Sequence, residues 1–264
     1  MSGPDGNRPA ARRSGNPLWR AARVAWRGLL ALVHLLVGVL LTPFVTRRDA
    51  AGHWHVDRRI ARWWHGRLLR ILHVRLMTTG TPPAAPALVV SNHISWVDIH
   101  VLGYLLPTVF LSKAEVLGWP LIGWLAKRSG TLFIRRGSGQ ATQIRQTIAD
   151  YLRRGGMVTL FPEGTTSDGL QVLRFLPPLF GAAIEAEAPV APVALRYTVD
   201  GRPDLTIPYT GQQTLLENLA GLLGRRGSEV HVWFGEPIPS LGTERKALAE
   251  AARAQIVTAI FRRE

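Results

Sequence analysis

The sequence has no cysteine among its 264 residues, which excludes a disulfide framework, thiolate metal sites and a cysteine nucleophile together. Acidic side chains are scarce as well, 18 Asp and Glu against 32 Lys and Arg, for a formal charge of +14. No G-x-S-x-G segment occurs, so the strained turn that presents a hydrolase serine has no counterpart. There is no internal repeat, and no low-complexity tract outside the N-terminal tail. What is present is apolar content of 47%, enough to exclude wholesale disorder and to fill one core of catalytic size with an appendage.

A charge of +14 fits nucleic acid or an anionic membrane equally well, and its distribution separates the two. Residues 1–75 contain 14 Arg, no Lys and only Asp5, Asp49 and Asp57 as acids, so +11 of the +14 lies in the first quarter of the chain. The same quarter holds "GLLALVHLLVGVLLTPFV", 18 residues from Gly28 to Val45 without a formal charge. As a helix it reaches about 27 Å, just short of a hydrocarbon core of about 30 Å. Arginines flank it on both sides, so loop charge assigns no orientation. A second segment, His53 to Arg75, sets Trp63, Trp64, Leu68, Leu69, Ile71 and Leu72 among six arginines. That mixture suits a helix in the headgroup layer, with its guanidiniums on lipid phosphates. Residues 16–80 are therefore expected to form a two-helix membrane anchor that dips into the bilayer or lies flat, behind a disordered basic tail at 1–15. Two alternatives remain for the apolar run. A buried helix of a soluble protein has similar length, and a cleaved signal peptide would need a small-residue site where "TRRDAAGH" places two arginines. A nucleic-acid binder would use the arginines on phosphates, but here they adjoin an apolar segment rather than a recognition module. His53 and His55 lack a clearly spaced third ligand for a metal.

After the linker "TPPAAPA" (81–87) the pattern changes. Short apolar runs at 87–91, 108–112, 131–134, 157–161, 190–199 and 230–235 read as strands, and 138–154, 210–224 and 242–263 as helices. Residues 81–264 thus predict an α/β domain, a mixed sheet flanked by helices, with chemistry expected in loops beyond strand ends. Three of those ends carry polar clusters: Asn92, His93 and Asp98; Arg135 and Arg136; and Glu163 with Gly164 in "LFPEGTTSDG". Singly, each has an ordinary explanation as a surface histidine, a solvated arginine pair or a turn.

Their joint order resembles a known family. Asn92-His93-x4-Asp98, Phe133-x-x-Arg136, Phe161-Pro162-Glu163-Gly164 and "VAPVAL" (190–195) look like the four blocks of the glycerolipid acyltransferases, the 1-acylglycerol-3-phosphate O-acyltransferase group. The resemblance runs from about Ala87 to Val199, and the N-terminal element is similar to that of bacterial members. It implies the glycerolipid acyltransferase fold and transfer of a fatty acyl group from acyl-CoA or acyl carrier protein to a lysolipid hydroxyl, at the cytoplasmic face of a bacterial inner membrane. The implied partners are membrane lipids, especially anionic ones, and no nucleic acid; no cofactor is expected, because the donor carries its own activation.

The chemistry supports this independently. A thiol of pKa about 8.5 is already a good leaving group, so the alcohol is what needs activating. His93 would take its proton while Asp98 fixes the other ring nitrogen, an effect typically worth about 10² to 10⁴ in rate. Ser95 reads as a turn residue, so no covalent acyl-enzyme is expected. Arg136 sits where the family places an acceptor-binding arginine, and Lys113 offers a point charge after the second strand. Glu163 and Gly164 are expected to bind acceptor hydroxyls or to shape the loop beside His93, and Thr165 and Thr166 complete the substrate-binding set. Two positions depart from the common pattern: Thr166 replaces a frequent arginine, and Arg135 replaces a frequent aspartate. The "EGTTSDG" form is similar to homologues that acylate lyso-ornithine lipid. The expected acceptor is lysophosphatidic acid, the commoner substrate of the family, with lyso-ornithine lipid or another lysophospholipid as the alternative. A non-catalytic lipid-binding protein is the rival of a different class.

Overall fold

The computed structural model describes residues 17–49, 52–135, 141–211 and 213–261. In chain order the elements are α1 (Pro17–Val45), β1 (Thr46–Arg48), β2 (Trp54–Val56), α2 (Arg58–Ile71), β3 (Val74–Thr79), β4 (Ala87–Ser91), α3 (Val97–Leu105), β5 (Val109–Lys113), α4 (Ile122–Arg128), β6 (Leu132–Ile134), α5 (Ala141–Arg153), β7 (Met157–Leu160), α6 (Gly181–Glu185), β8 (Val190–Val199), β9 (Arg202–Pro203), α7 (Leu215–Gly224), β10 (Ser228–Phe234) and α8 (Arg245–Phe261). The main sheet runs β3-β10-β8-β4-β7-β5-β6, with β9 beside β8. On that path every pairing is parallel except β10 with β8, the mixed sheet that the alternation of strands and helices predicts.

Strand β4 shows why the core has two sides. Its "ALVVS" is wholly buried, as a central parallel strand covered on both faces must be. Ala87 and Val89 join the core beneath α2, α3 and α7, while Leu88 and Val90 face α5, α6 and α8. Helix starts are set locally. Asp57 accepts the N–H groups of Arg59 and Ile60 at the head of α2, and Thr214 with Glu217 forms a reciprocal capping pair that opens α7.

Helix α1 is patterned inside out. Its buried residues are Arg27, His34, Gly38 and Thr42, spaced 7, 4 and 4 apart and so on one face. Leu29, Leu32, Leu36, Leu40 and Phe44 are exposed. The polar face is occupied: His34 stacks on Trp64 at 3.8 Å, and Arg23 and Arg27 donate to the carbonyls of Leu223, Gly224 and Arg225 at the end of α7. Those arginines complete the unsatisfied C-terminal turn of α7. A core helix of a soluble protein buries its leucines, and this one exposes them. Within the described residues α1 is the one helix long and apolar enough to cross a membrane.

The second segment departs from the two-helix expectation. Residues 53–75 form not one helix but β2, α2 and the start of β3, because His73 adopts φ 54° and turns the chain out of the helix. Leu69, Ile71 and Leu72 are buried in the core beneath the sheet, so the apolar side of α2 covers α3 rather than lipid. Strand β3 pairs with β10 as part of the main sheet. The two helices α2 and α3 meet at glycines: a Cβ on Gly66 would lie 2.7 Å from the Tyr104 ring, and one on Gly103 would lie 2.5 Å from Nε2 of His65. The His65 ring is itself held, Nδ1 to Nδ1 at 3.0 Å, by His100. Gly103→Ala is therefore expected to cost about 1–3 kcal/mol by overpacking, read as a fall in melting temperature; an unchanged melting temperature would mean that the two helices do not touch there.

Candidate active site

Strands β4, β7, β5 and β6 are adjacent and parallel, so their C-terminal ends form one edge of the sheet, where α/β proteins place their ligands. His93 lies beyond β4, Glu163 beyond β7, Lys113 ends β5 and Arg135 follows β6. At about 4.8 Å between strands, the two cations begin two and three strands, about 10 and 14 Å, from the histidine.

Asn92 anchors the first cluster. Its side-chain amide both donates to and accepts from the backbone of Leu195 in β8, at 2.9 and 2.8 Å, extending the sheet by one side chain where β4 ends. The chain then turns into α3, and Asp98 in the first helical turn reaches back. Its Oδ2 accepts Nδ1–H of His93 at 2.8 Å and the N–H groups of Ile94 and Ser95 at 2.7 and 3.0 Å. Its Oδ1 accepts the hydroxyl of Tyr197 at 2.7 Å. With four donors on its two oxygens Asp98 acts here as an acceptor, and an acceptor partner fixes the imidazole proton on Nδ1. Nε2 is left for chemistry. The Asp98 side chain is 0% exposed and that of His93 18%, so the imidazole reaches solvent and its partner does not. Ser95 is fully buried and its hydroxyl has no hydrogen-bond partner among the described residues, so it is closed off from solvent.

The segment after β7 wraps the histidine. The Phe161 ring stacks on the imidazole at 3.9 Å and 15°, Oε1 of Glu163 accepts the His93 N–H at 3.1 Å, and Ser167 N–H donates to His93 O at 2.8 Å. Gly164, at φ 71°, closes the turn with its N–H on Phe161 O. The Thr166 hydroxyl donates to Tyr209 O, while Tyr209 N–H donates to Ile94 O at 3.0 Å. His93, Asp98, Glu163, Gly164 and Thr166 are thus gathered into one cluster. Thr165, Lys113 and Arg135 are exposed, the last two along the same edge. Arg136 lies outside the described residues. Asn92 was visible as part of a polar cluster, but Tyr197 and Ser167 were missed. The one signal for Tyr197 is its place after Val193 and Leu195 on the inward face of β8, where a phenol needs a partner.

Glu163 is buried, and among the described residues its Oε2 has no hydrogen bond of ordinary geometry. Burial raises its pKa to about 7; the Asp98 charge adds to this, and the His93 and Leu173 N–H groups and Arg253 oppose it. The unfolded chain releases this proton near 4.5, so between about pH 4.5 and 7 the folded state binds more protons and stability falls as pH rises. The cost, of order 3 kcal/mol, is complete above pH 7. His65, whose pKa burial lowers to about 4, acts in the opposite sense below pH 6.5. A comparison isolates the glutamate: Glu163→Gln is expected to gain stability on wild type as pH rises from 5 to 8. Parallel melting curves for the two proteins would refute the assignment.

The chain is similar to known proteins in sequence and in fold. A family model described as acyltransferase matches residues 73–196. A lyso-ornithine lipid O-acyltransferase of Pseudomonas aeruginosa is 45% identical over 92% of this chain and 93% of its own length. A 1-acyl-sn-glycerol-3-phosphate acyltransferase of Neisseria meningitidis is 39% identical over 49% of this chain and 52% of its own. In structure, the 1-acyl-sn-glycerophosphate acyltransferase of Thermotoga maritima superposes with a TM-score of 0.63 at 19% identity, covering 92% of this chain and 95% of that one; this supports the fold. With a buried carboxylate ordering a solvent-reaching imidazole at the sheet edge, and with relatives that match along nearly its whole length, the chain belongs to the glycerolipid acyltransferase family and is an acyltransferase of lysolipids.

Proposed function

We propose that this enzyme transfers a fatty acyl group from acyl-CoA or acyl carrier protein to the hydroxyl of lyso-ornithine lipid, with His93 as general base. The His93–Asp98 pair carries the reading. Nε2 takes the acceptor hydroxyl proton as that oxygen attacks the thioester carbonyl. The tetrahedral intermediate then expels the thiolate, which recovers the proton from the imidazolium that Asp98 stabilises. With Ser95 sealed away and no cysteine present, no enzyme nucleophile intervenes.

The choice of acceptor rests on two supports. The relative that matches along 92% of the chain is named for lyso-ornithine lipid. Thr166, where family members often carry arginine, spends its hydroxyl on Tyr209 O, so this position offers neither charge nor a free donor proton to a phosphate. Lyso-ornithine lipid presents a carboxylate and an amine instead. Lysophosphatidic acid is the second reading, favoured by Lys113 and Arg135 on the same edge and by the Neisseria relative. The exposed leucines of α1, joined by Leu117, Trp119 and Leu121 beside α4, support insertion into one leaflet. Arg23, Arg27 and His34 tie α1 to the domain along much of its length, so α1 does not project alone across a bilayer. A water-borne donor then favours the cytoplasmic face of a bacterial inner membrane.

His93→Ala is expected to lower acyl transfer by at least 10² to 10⁴ with membrane association and melting temperature retained; an active variant would refute the base. Purified enzyme given labelled acyl-CoA or acyl carrier protein and a panel of lyso-ornithine lipid, lysophosphatidate and lysophosphatidylcholine should acylate the first with the highest kcat/KM. A tenfold preference for lysophosphatidate would overturn the acceptor and leave the transfer chemistry standing. Leu36→Asp with Leu40→Asp is expected to move the protein from the membrane pellet to the supernatant; retention in the pellet would show that α1 is not the anchor.

A further inference from the structure

We propose that Tyr197 is a positioning residue for acyl transfer, its buried hydroxyl holding the outer oxygen of Asp98 so that the carboxylate presents Oδ2 to His93. This rests on the reading of His93 as base.

The two oxygens of Asp98 are served differently. Oδ2 receives three donors, from the His93 ring and from the Ile94 and Ser95 backbones, all within its own turn. Oδ1 is served from 99 residues away, by the Tyr197 hydroxyl at 2.7 Å. Asp98 is 0% and Tyr197 3% exposed, so water has no access to replace that donor. An ionised oxygen in such a place, left without its hydrogen bond, is costly and rotates to find another. Rotation about the carboxyl bond would take Oδ2 off the imidazole without unfolding anything. The tyrosine opposes it from Oδ1, as the two backbone N–H groups do from Oδ2.

The phenol is itself fixed. Asn92 bonds the backbone of Leu195 two residues earlier, which sets the register between the loop and β8. Tyr197 O accepts the Asp204 N–H at 3.0 Å. Burial and the Asp98 charge hold the phenol proton well above its ordinary pKa, with Arg225 opposing, so the hydroxyl remains a donor. The charged groups around the pair are His93 on its own loop, Glu163 after β7, Arg253 of α8 acting on Glu163, and Arg225 after α7, paired with Asp204 at 2.6 Å. None of these donates to Oδ1 among the contacts of the described residues.

Tyr197→Phe keeps the ring in the core and removes only the donor. Without its outer donor the carboxylate turns from the ring and the imidazolium loses its partner, so the base is freed at lower pH but is no longer held in line for proton transfer. The expected result is a kcat reduced at least tenfold, KM for lysolipid and for acyl-CoA within twofold, and the acid limb of kcat/KM displaced to lower pH. In an Asp98→Asn background the same change should have less than a twofold further effect. A lowered melting temperature with kcat and the acid limb unchanged would reduce Tyr197 to packing and overturn the proposal. Should Tyr197→Phe not fold, 3,5-difluorotyrosine at 197 preserves shape while strengthening the donor; the carboxylate stays on the ring with its charge more dispersed, and the limb should again move to lower pH. No movement would again refute it. His93→Ala assayed alongside separates the two ideas. If that variant is active the base reading fails, whereas if it is inactive and Tyr197→Phe behaves as wild type only the tyrosine inference fails.

Discussion

A carboxylate with no exposed surface, in a chain short of acids, is stable only if its donors are assembled around it, and much of the structure is arranged to supply them to Asp98. The turn at 93–95 brings two backbone N–H groups and an imidazole; β8 brings a phenol; the first turn of α3 adds its dipole. Three of the four donors come from the turn that leads into α3 and the fourth from β8, 99 residues on, so the full set exists only in the assembled sheet. Once satisfied, the carboxylate acts on one ring, the imidazole of His93, whose side chain reaches solvent.

The segment 161–169 holds His93 from the other side. Phe161 supports the ring face, Glu163 holds the His93 N–H and Ser167 its carbonyl. A Phe-Pro-Glu-Gly stretch therefore acts here on the backbone and ring of the histidine. The buried, partly unsatisfied glutamate costs stability at neutral pH, which is the usual relation between a preorganised site and its scaffold.

How much of this was legible follows from which contacts are local. The strands "ALVVS" and "VAPVALRYTV" coincide with β4 and β8, because continuous apolar runs in a buried parallel sheet leave little ambiguity. His93 and Asp98 could be paired because five residues of turn and first helical turn separate them. Tyr197 could not be assigned, since its partner is 99 residues away and its register depends on the Asn92 brace. Helix α3 was not anticipated: "VDIHVLGYL" is apolar nearly all round, as a helix buried between α2 and the sheet is, and so shows no period. The break at His73 was missed because a left-handed residue other than glycine carries no composition signal.

The arginines of the first quarter show why charge alone under-specifies a surface. Their number suggested lipid phosphates as the target, yet several are engaged with the protein itself. Arg23 and Arg27 complete the carbonyl end of α7, Arg62 lies over Tyr104 and Arg67 over Trp63, and Arg70 donates to Gly66 O. A guanidinium can do this while its alkyl stem covers apolar surface. The membrane signal of this chain is instead the orientation of α1, which buries arginine, histidine and threonine and turns its leucines outward. That arrangement suits an outer medium less polar than the protein face. The same arginines that dock α1 on the end of α7 join it to the helical layer that covers one face of the sheet bearing His93.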